Sequence, residues 1–528
     1  MLEVVLFEYT WVLMFASTML MLVFGFPVAF TLSGVAVVWA LIGVVFLDFD
    51  MNMMGALPSR IFGGAISNSL LVAIPLFIFM GSILEKSNIA EDLLSGMGKL
   101  MSRIPGGLGI SVIIVGAFLA ASTGIVGATV VAMGMMSLPV MLKHKYDTGI
   151  ACGTICAAGT LGQIIPPSIV LILLGDQISN AYVEAQREIG NWSPDPVSVG
   201  DLFMGAIIPG LVLVVLYIVY IFVRALWKPE DLPSIDEGNV DVKELVFKVL
   251  LPPLSLIIVT LGSIVSGLAT PTEAASVACV FAVLLATNRL TNSVKTRFHV
   301  RFGTVLIIFV LSLTLFFDMR PNSSTLTALD KGAIGLSFAI LSYVAYVIFL
   351  SFKTLYHNGV LSYVSKHTLL STSQILVILI GATIFSLVFR AYGGDEAIET
   401  FLLELEYSFA VKMFIIMAVL FLLGMFLDFI EIVLVVVPII APVMLQADIS
   451  PIWFAIMIAM NLQTSFLTPP FGFSLFYLRG VAPSVVKTKD IYRGVMPFIA
   501  LQMVAIGLLA YFPQMANWLP EVVFGSKF

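Results

Sequence analysis

Long apolar runs separated by short polar stretches dominate the pattern along this chain. Runs at 6–23, 202–223, 300–317, 336–351 and 498–511 each approach the ~20 apolar residues a helix needs to cross a bilayer. None alternates as a half-buried strand would, so the pattern predicts membrane-spanning helices. The first run has Glu3 before it and Glu8 near its start instead of basic residues, and it continues through Gly25-Phe26-Pro27 into further apolar sequence. It is therefore predicted to be a span and not a cleaved leader. Basic residues gather at 143–145, 224–248, 289–301 and 353–367, which the positive-inside bias places in the cytoplasm, with 176–201 and 318–331 outside. Residues 353–374 alternate Leu355, Val360, Leu361, Val364 and Leu369 with His357, Ser362, Lys366 and His367, predicting a short amphipathic helix at the membrane surface.

Composition sharpens this picture. Of 528 residues, 60% are hydrophobic and only 11% charged, against roughly 25% charged in a soluble domain, and the mean hydropathy is +1.08. The fold class predicted is an all-α polytopic membrane protein. The net charge of −6 adds little, because loop placement of charge governs topology. Cys152, Cys156 and Cys279 are too few and too irregular for a disulfide framework, and Cys152 and Cys156, four apart, read as packing residues on one helix face. The histidines at 144, 299, 357 and 367 are placed in polar loops without metal-ligand spacing. Gly96-Met97-Gly98-Lys99 lacks the first glycine and the Ser/Thr of a phosphate loop. An enzyme is not expected, no cofactor is expected, and nothing suggests nucleic-acid binding.

The sequence repeats itself. Pro139 is followed 27 residues later by Pro166-Pro167, and Pro442 is followed 27 residues later by Pro469-Pro470, so one offset of 303 aligns both features. Further on, Asp201-Leu202-Phe203-Met204-Gly205 with Pro209 matches Asp490-Ile491-Tyr492-Arg493-Gly494 with Pro497. A duplication follows, with a first half at 1–226, an acidic, proline-containing cytoplasmic linker at 227–248, and a second half at 249–528. Two related halves can enclose one midplane site and expose it to each side in turn.

The repeated segments also break helices. Backbone released at membrane depth survives only inside protein or beside water, where it supplies carbonyl oxygens for a hard cation and helix N-termini for an anion. Four breaks stand out: 122–127, 159–168, 424–428 and 463–470. The offset pairs the first with the third and the second with the fourth, predicting two symmetric sodium sites. Candidate sodium ligands are Ser122, Thr123, Gly127, Gly159, Thr160, Pro166, Gly424, Met425, Asp428, Gln463, Thr464 and Thr468. Candidate substrate contacts are Thr123, Gly124, Ser168 and Thr468. Asp428, with Glu431 three residues on, is the most informative acid, since a carboxylate at a span centre costs about 2.5–3.5 kcal/mol on insertion scales. Glu273 in Thr270-Pro271-Thr272-Glu273 reads as a helix cap, and Arg390 as interfacial.

Seven segments carry a family resemblance: GFPVAFTLSG (25–34), IPLFIFMGSIL (74–84), GTLGQIIPPSIVLILLG (159–175), DLFMGAIIPG (201–210), GLATPTEAASV (267–277), GMFLD (424–428) and LTPPFGFSLFYLRG (467–480). With them the chain resembles the large membrane (M) subunit of tripartite ATP-independent periplasmic (TRAP) transporters. The resemblance implies two inverted repeats with re-entrant hairpins and discontinuous helices, a scaffold, and a transport region moving like an elevator. It implies sodium-coupled uptake of an organic acid across the bacterial inner membrane. The implied partners are a small four-helix membrane (Q) subunit and a periplasmic substrate-binding (P) protein. Two departures are expected to matter. Many family members have Ser-Gly-Ser-Ser at the first break where this chain has Thr123-Gly124-Ile125-Val126, which removes a side-chain ligand at 125. Residues 290–370 form an insertion with two extra spans near 302–318 and 333–352. The alternatives are a stand-alone di- or tricarboxylate symporter of similar fold, a membrane-embedded enzyme and a passive channel.

Overall fold

The computed structural model describes residues 2–47, 49–234, 242–314, 316–320, 327–404 and 406–525. Every regular element among them is helical, and nine of the described helices are long and apolar enough to cross a membrane. The apolar runs of the sequence lie inside these helices, but the helices are longer. The run at 300–317 belongs to Val294–Leu313, and the run at 336–351 to Ala328–His357. Lys295 and Arg297 open the former ahead of the apolar run, and Arg301 lies at the start of that run.

One group of helices packs around Val360–Ala391, which lies against Val28–Phe46 and Ala73–Lys86. Close approach is set by Gly381, where a Cβ would sit 2.5 Å from the Ala29 carbonyl oxygen. Tyr392 Oη donates to the Trp39 carbonyl at 2.7 Å, and Cys279 Sγ on Pro271–Leu290 donates to the Leu76 carbonyl at 2.9 Å. Thr270 and Glu273 form the expected capping box at the start of that helix.

The surface helix expected at 353–374 is not found. Ala328–His357 ends at a turn where Gly359 has φ +72°, and the chain then continues without interruption from Val360 to Ala391. Of the polar residues that suggested a wet face, His367 is packed against Ala73–Lys86, whereas His357, Ser362 and Lys366 are exposed. His367 Nδ1 lies 3.0 Å from Ser82 Oγ, and the Lys86 ammonium sits 4.6 Å from the Tyr363 ring centre. His299 and His367 likewise lie inside helices, not in loops. A polar face at the end of a long span has the same periodicity as a short surface helix, which explains the misreading.

The other group holds the duplicated segments. Its centre is Pro451–Leu467, buried along its whole length, beside Thr148–Thr160. Thr148–Thr160 crosses Thr488–Tyr511 through Gly149, Gly153 and Gly494, whose backbones meet so closely that a Cβ on Gly153 or Gly494 would overlap the facing carbonyl. This is small-residue packing, which replaces the hydrophobic drive that helices lack inside lipid. Cys152 and Cys156 are buried in the same helix, as expected of packing residues.

Candidate ion and substrate site at the paired helix breaks

Proline creates both central breaks. A helical carbonyl accepts from the N–H four residues on, so Pro166 and Pro167 remove the donors for Gly162 and Gln163, and Pro469 and Pro470 those for Ser465 and Phe466. The first broken span runs as Thr148–Thr160, a tight turn Leu161–Gln163, a non-helical stretch, and Ile169–Glu188. The second runs as Pro451–Leu467, a stretch beginning at Thr468, and Phe473–Val481. The peptides Pro166–Pro167 and Pro469–Pro470 are both cis. The same repair occurs in both. Ser168 Oγ donates to the Gln163 carbonyl at 2.9 Å, and Ser474 Oγ to the Phe466 carbonyl at 2.7 Å. In each case the repaired carbonyl stands three residues ahead of the first proline, at positions related by the 303 offset.

A broken hairpin faces each of these spans. In the first, Gly107–Thr123 ends at Gly124 (φ +61°) and a new helix starts at Val126. A Cβ on Gly124 would meet the Ile169 nitrogen at 3.2 Å, so this tip presses on the N-terminus that follows Ser168. Gly159 lies against Val130, and Gly162 against Ala120, by the same close approach. In the second, Phe409–Leu423 ends at Gly424 and a helix restarts at Phe429. Gly424 packs directly on Ser465, so the second tip also sits on its partner break. Phe426 and Phe471 cover it, with ring centres 4.8 Å apart.

Thr160 and Gln463 occupy matching positions of the two repeats, and they touch. Gln463 Nε2 lies 3.4 Å from Thr160 Oγ1 across the 303-residue separation. Residues related by a pseudo-two-fold meet only near its axis, so this pair marks the axis. Two residues that the sequence reading missed complete the cluster. Gln502 Nε2 donates to Tyr217 Oη at 2.8 Å and reaches Thr160 Oγ1 at 3.5 Å. Both ends of the Gln163 amide, and the Oε1 atoms of Gln463 and Gln502, are buried without a hydrogen-bond partner among the described residues. Lone polar residues in apolar spans were the one available signal for Gln502 and Tyr217, and no spacing distinguished them.

The remaining candidates fall as follows. The backbones of Ser122 and Thr123 end the first hairpin arm, and their side chains lie outside the described residues. Gly127 faces the Tyr477 ring, where a Cβ would come within 2.9 Å, which is a packing position. Thr464 and Thr468 donate their hydroxyls to the Met460 and Thr464 carbonyls at 2.9 and 2.8 Å, leaving oxygen lone pairs as the coordinating face. Met425 is half-buried in the turn before Asp428. Asp428 is not mid-span. It is the N-cap of the restarting helix, accepting from Phe429 N at 2.8 Å, while Glu431 Oε2 accepts from Asp428 N at 3.2 Å. The two acids, three residues apart, therefore form a capping box at a break. Arg390 is tied to Glu184 at 2.9 Å.

Three of the four restarting helices carry no side-chain cap: those at Val126, Ile169 and Phe473. The fourth, at Phe429, is closed by a carboxylate. Bare helix N-termini favour anions, whereas carbonyls and neutral oxygens favour a hard cation.

An all-helical membrane protein with two matched sets of broken helices around a polar axis is a secondary transporter in architecture. The comparisons specify the family. Residues 15–317 and 294–515 match the family described as tripartite ATP-independent periplasmic transporter, DctM component, and the chain belongs to that family as a large permease of the bacterial inner membrane. It is 26% identical over 522 residues, 98% of each chain, to the C4-dicarboxylate TRAP transporter large permease protein DctM of Vibrio cholerae serotype O1. It is 24% identical over 505 residues to the sialic acid TRAP transporter large permease protein SiaM of the same species, covering 95% of this chain and 96% of that one. The solved structure of the Alcanivorax borkumensis YdaH transporter shares the fold, with a TM-score of 0.57, 13% identity, and coverage of 96% of this chain and 99% of that chain.

Proposed function

We propose that this permease uses a sodium gradient to import an organic acid, holding sodium at the two break pairs and the acid group at the uncapped helix N-termini between them. The substrate is delivered by a periplasmic binding protein, and a small four-helix membrane subunit braces the helices around Val360–Ala391. The set of helices containing the breaks then shifts against that brace as an elevator. The observation that carries this reading is the matched seating of each glycine tip on its partner break, Gly124 on Ile169 and Gly424 on Ser465. Each tip meets its partner break, at the helix N-terminus after it in the first pair and at the helix end before it in the second. The two relatives quoted are named for C4-dicarboxylate and for sialic acid, both of them acids.

The test is uptake into proteoliposomes holding the permease and its small subunit, with substrate chosen by ligand screening of the binding protein. Uptake is expected only with an inward sodium gradient and only with the binding protein outside. Full-rate uptake without that protein would make the chain a stand-alone symporter, and flux with no ion gradient would make it a channel.

A further inference from the structure

A long cleft, lined by none of the break residues, lies against the first of the two inserted spans. Pro271–Leu290 forms its floor, Leu251–Val265 one wall and Val294–Leu313 the other. Its volume is about 1000 Å³. The lining runs from Pro252 to Ser266 on one wall and from Arg301 to Thr314 on the other, a length of about 20 Å at 1.5 Å per residue. That exceeds the ~15 Å half-thickness of a bilayer's hydrocarbon core, so the cleft spans the depth of one leaflet and somewhat more. Its apolar lining is open to the surroundings: Ile258, Val305 and Ile308 are 59%, 61% and 54% exposed.

The two ends differ. At one end Arg301 lines the mouth, its Nε donating to Asn288 Oδ1 at 3.2 Å, which fixes the guanidinium there. Lys295 is exposed two turns away, and residues 274–317 contain no acid. Arg289 is paired with Asp92, so the remaining basic charge at this end comes from Lys295, Arg297, whose guanidinium donates to the Thr291 carbonyl, and Arg301. The other end, near Ser266 and Thr314, is polar but uncharged. The positive-inside bias assigns the basic end to the cytoplasmic face.

We propose that this cleft binds one anionic phospholipid of the cytoplasmic leaflet, with its phosphate on Arg301 and its acyl chains along the floor helix. Length, apolar lining and one basic end match a lipid monomer.

The experiment uses the full-length permease purified with its small subunit into mild detergent. Native mass spectrometry would follow retention of added phosphatidylglycerol against phosphatidylcholine. One tightly retained phosphatidylglycerol per permease is expected. Arg301→Gln should lower its preference over phosphatidylcholine about fivefold, the effect of one cation at the membrane surface. Gly262→Phe should abolish retention, because a Cβ at Gly262 meets nothing within 4 Å and the ring would fill the cleft. A photo-crosslinking residue at Ile308 in native membranes should yield a lipid adduct. Equal retention of both lipids, unchanged retention in Gly262→Phe, or a protein adduct from position 308 would each overturn the proposal.

Discussion

At the residue scale, Asp428 carries the most separable claim. Its carboxylate caps a helix, and it is also the acid nearest a break. Asparagine caps a helix about as well as aspartate but carries no charge. Asp428→Asn should therefore leave the melting temperature within a few degrees of wild type while abolishing sodium-dependent uptake. Normal uptake in this variant would reduce Asp428 to a cap. Gln502 tests the axial cluster differently. A buried polar group stripped of its partner costs about 1–3 kcal/mol, whereas replacing both members of a hydrogen-bonded pair with apolar groups of similar shape is nearly neutral. Gln502→Leu combined with Tyr217→Phe, which removes both members of the 2.8 Å pair, should thus keep stability in a thermal-shift assay, yet weaken sodium dependence of uptake several-fold if the cluster serves the ion sites. A large stability loss would show the pair to be structural. Thr160 and Gln463 were legible in the sequence because they flank duplicated prolines. Gln502 and Tyr217 were not, because a single polar residue in an apolar span has no partner spacing to give it away. Burial alone reveals them.

At the element scale, proline placement decided most of what could be read. A proline pair deep in an apolar run orphans two carbonyls, and the structure repairs one in each half with a downstream serine hydroxyl. Ser474→Ala is expected to cost about 1–3 kcal/mol of stability, the penalty for leaving a buried acceptor unmet, measured by chemical denaturation of the detergent-solubilised protein. A negligible change would mean that water replaces the hydroxyl. Elements were misread where a polar face continues into a span. Residues 360–374 belong to a 32-residue helix whose first turns expose Ser362 and Lys366, while His367 meets Ser82. The inserted span begins at Val294 because a helix end at the interface tolerates Lys295, Arg297 and Arg301, whose long side chains reach water.

At the scale of the whole molecule, the two helix groups are joined at one end by a polar bridge. Arg390, at the end of Val360–Ala391, pairs with Glu184 on the outer half of the first broken span, and Asp395 lies 3.8 Å from the same guanidinium. Gln446 connects Glu188 at 2.5 Å with Glu399 at 3.0 Å. Partly exposed pairs of this kind contribute about 0–1 kcal/mol each, weak enough to open during a cycle. An elevator shift must open them. A bifunctional maleimide joining Glu184→Cys to Arg390→Cys should arrest uptake, while the same reagent on either single variant should not. The three native cysteines are buried, which keeps the reaction selective. Continued uptake in the cross-linked double variant would rule out relative motion of the two groups at this point.

The account as a whole rests on sodium binding at both break pairs, and equilibrium binding of radioactive sodium to the purified permease tests it without knowledge of the substrate. Saturable binding is predicted, displaced by unlabelled sodium but not by potassium, and reduced in two separate steps by Gly124→Val and Gly424→Val, which wedge the first and second tips away from their breaks. Absence of saturable binding, or binding unaffected by both substitutions in folded protein, would contradict it.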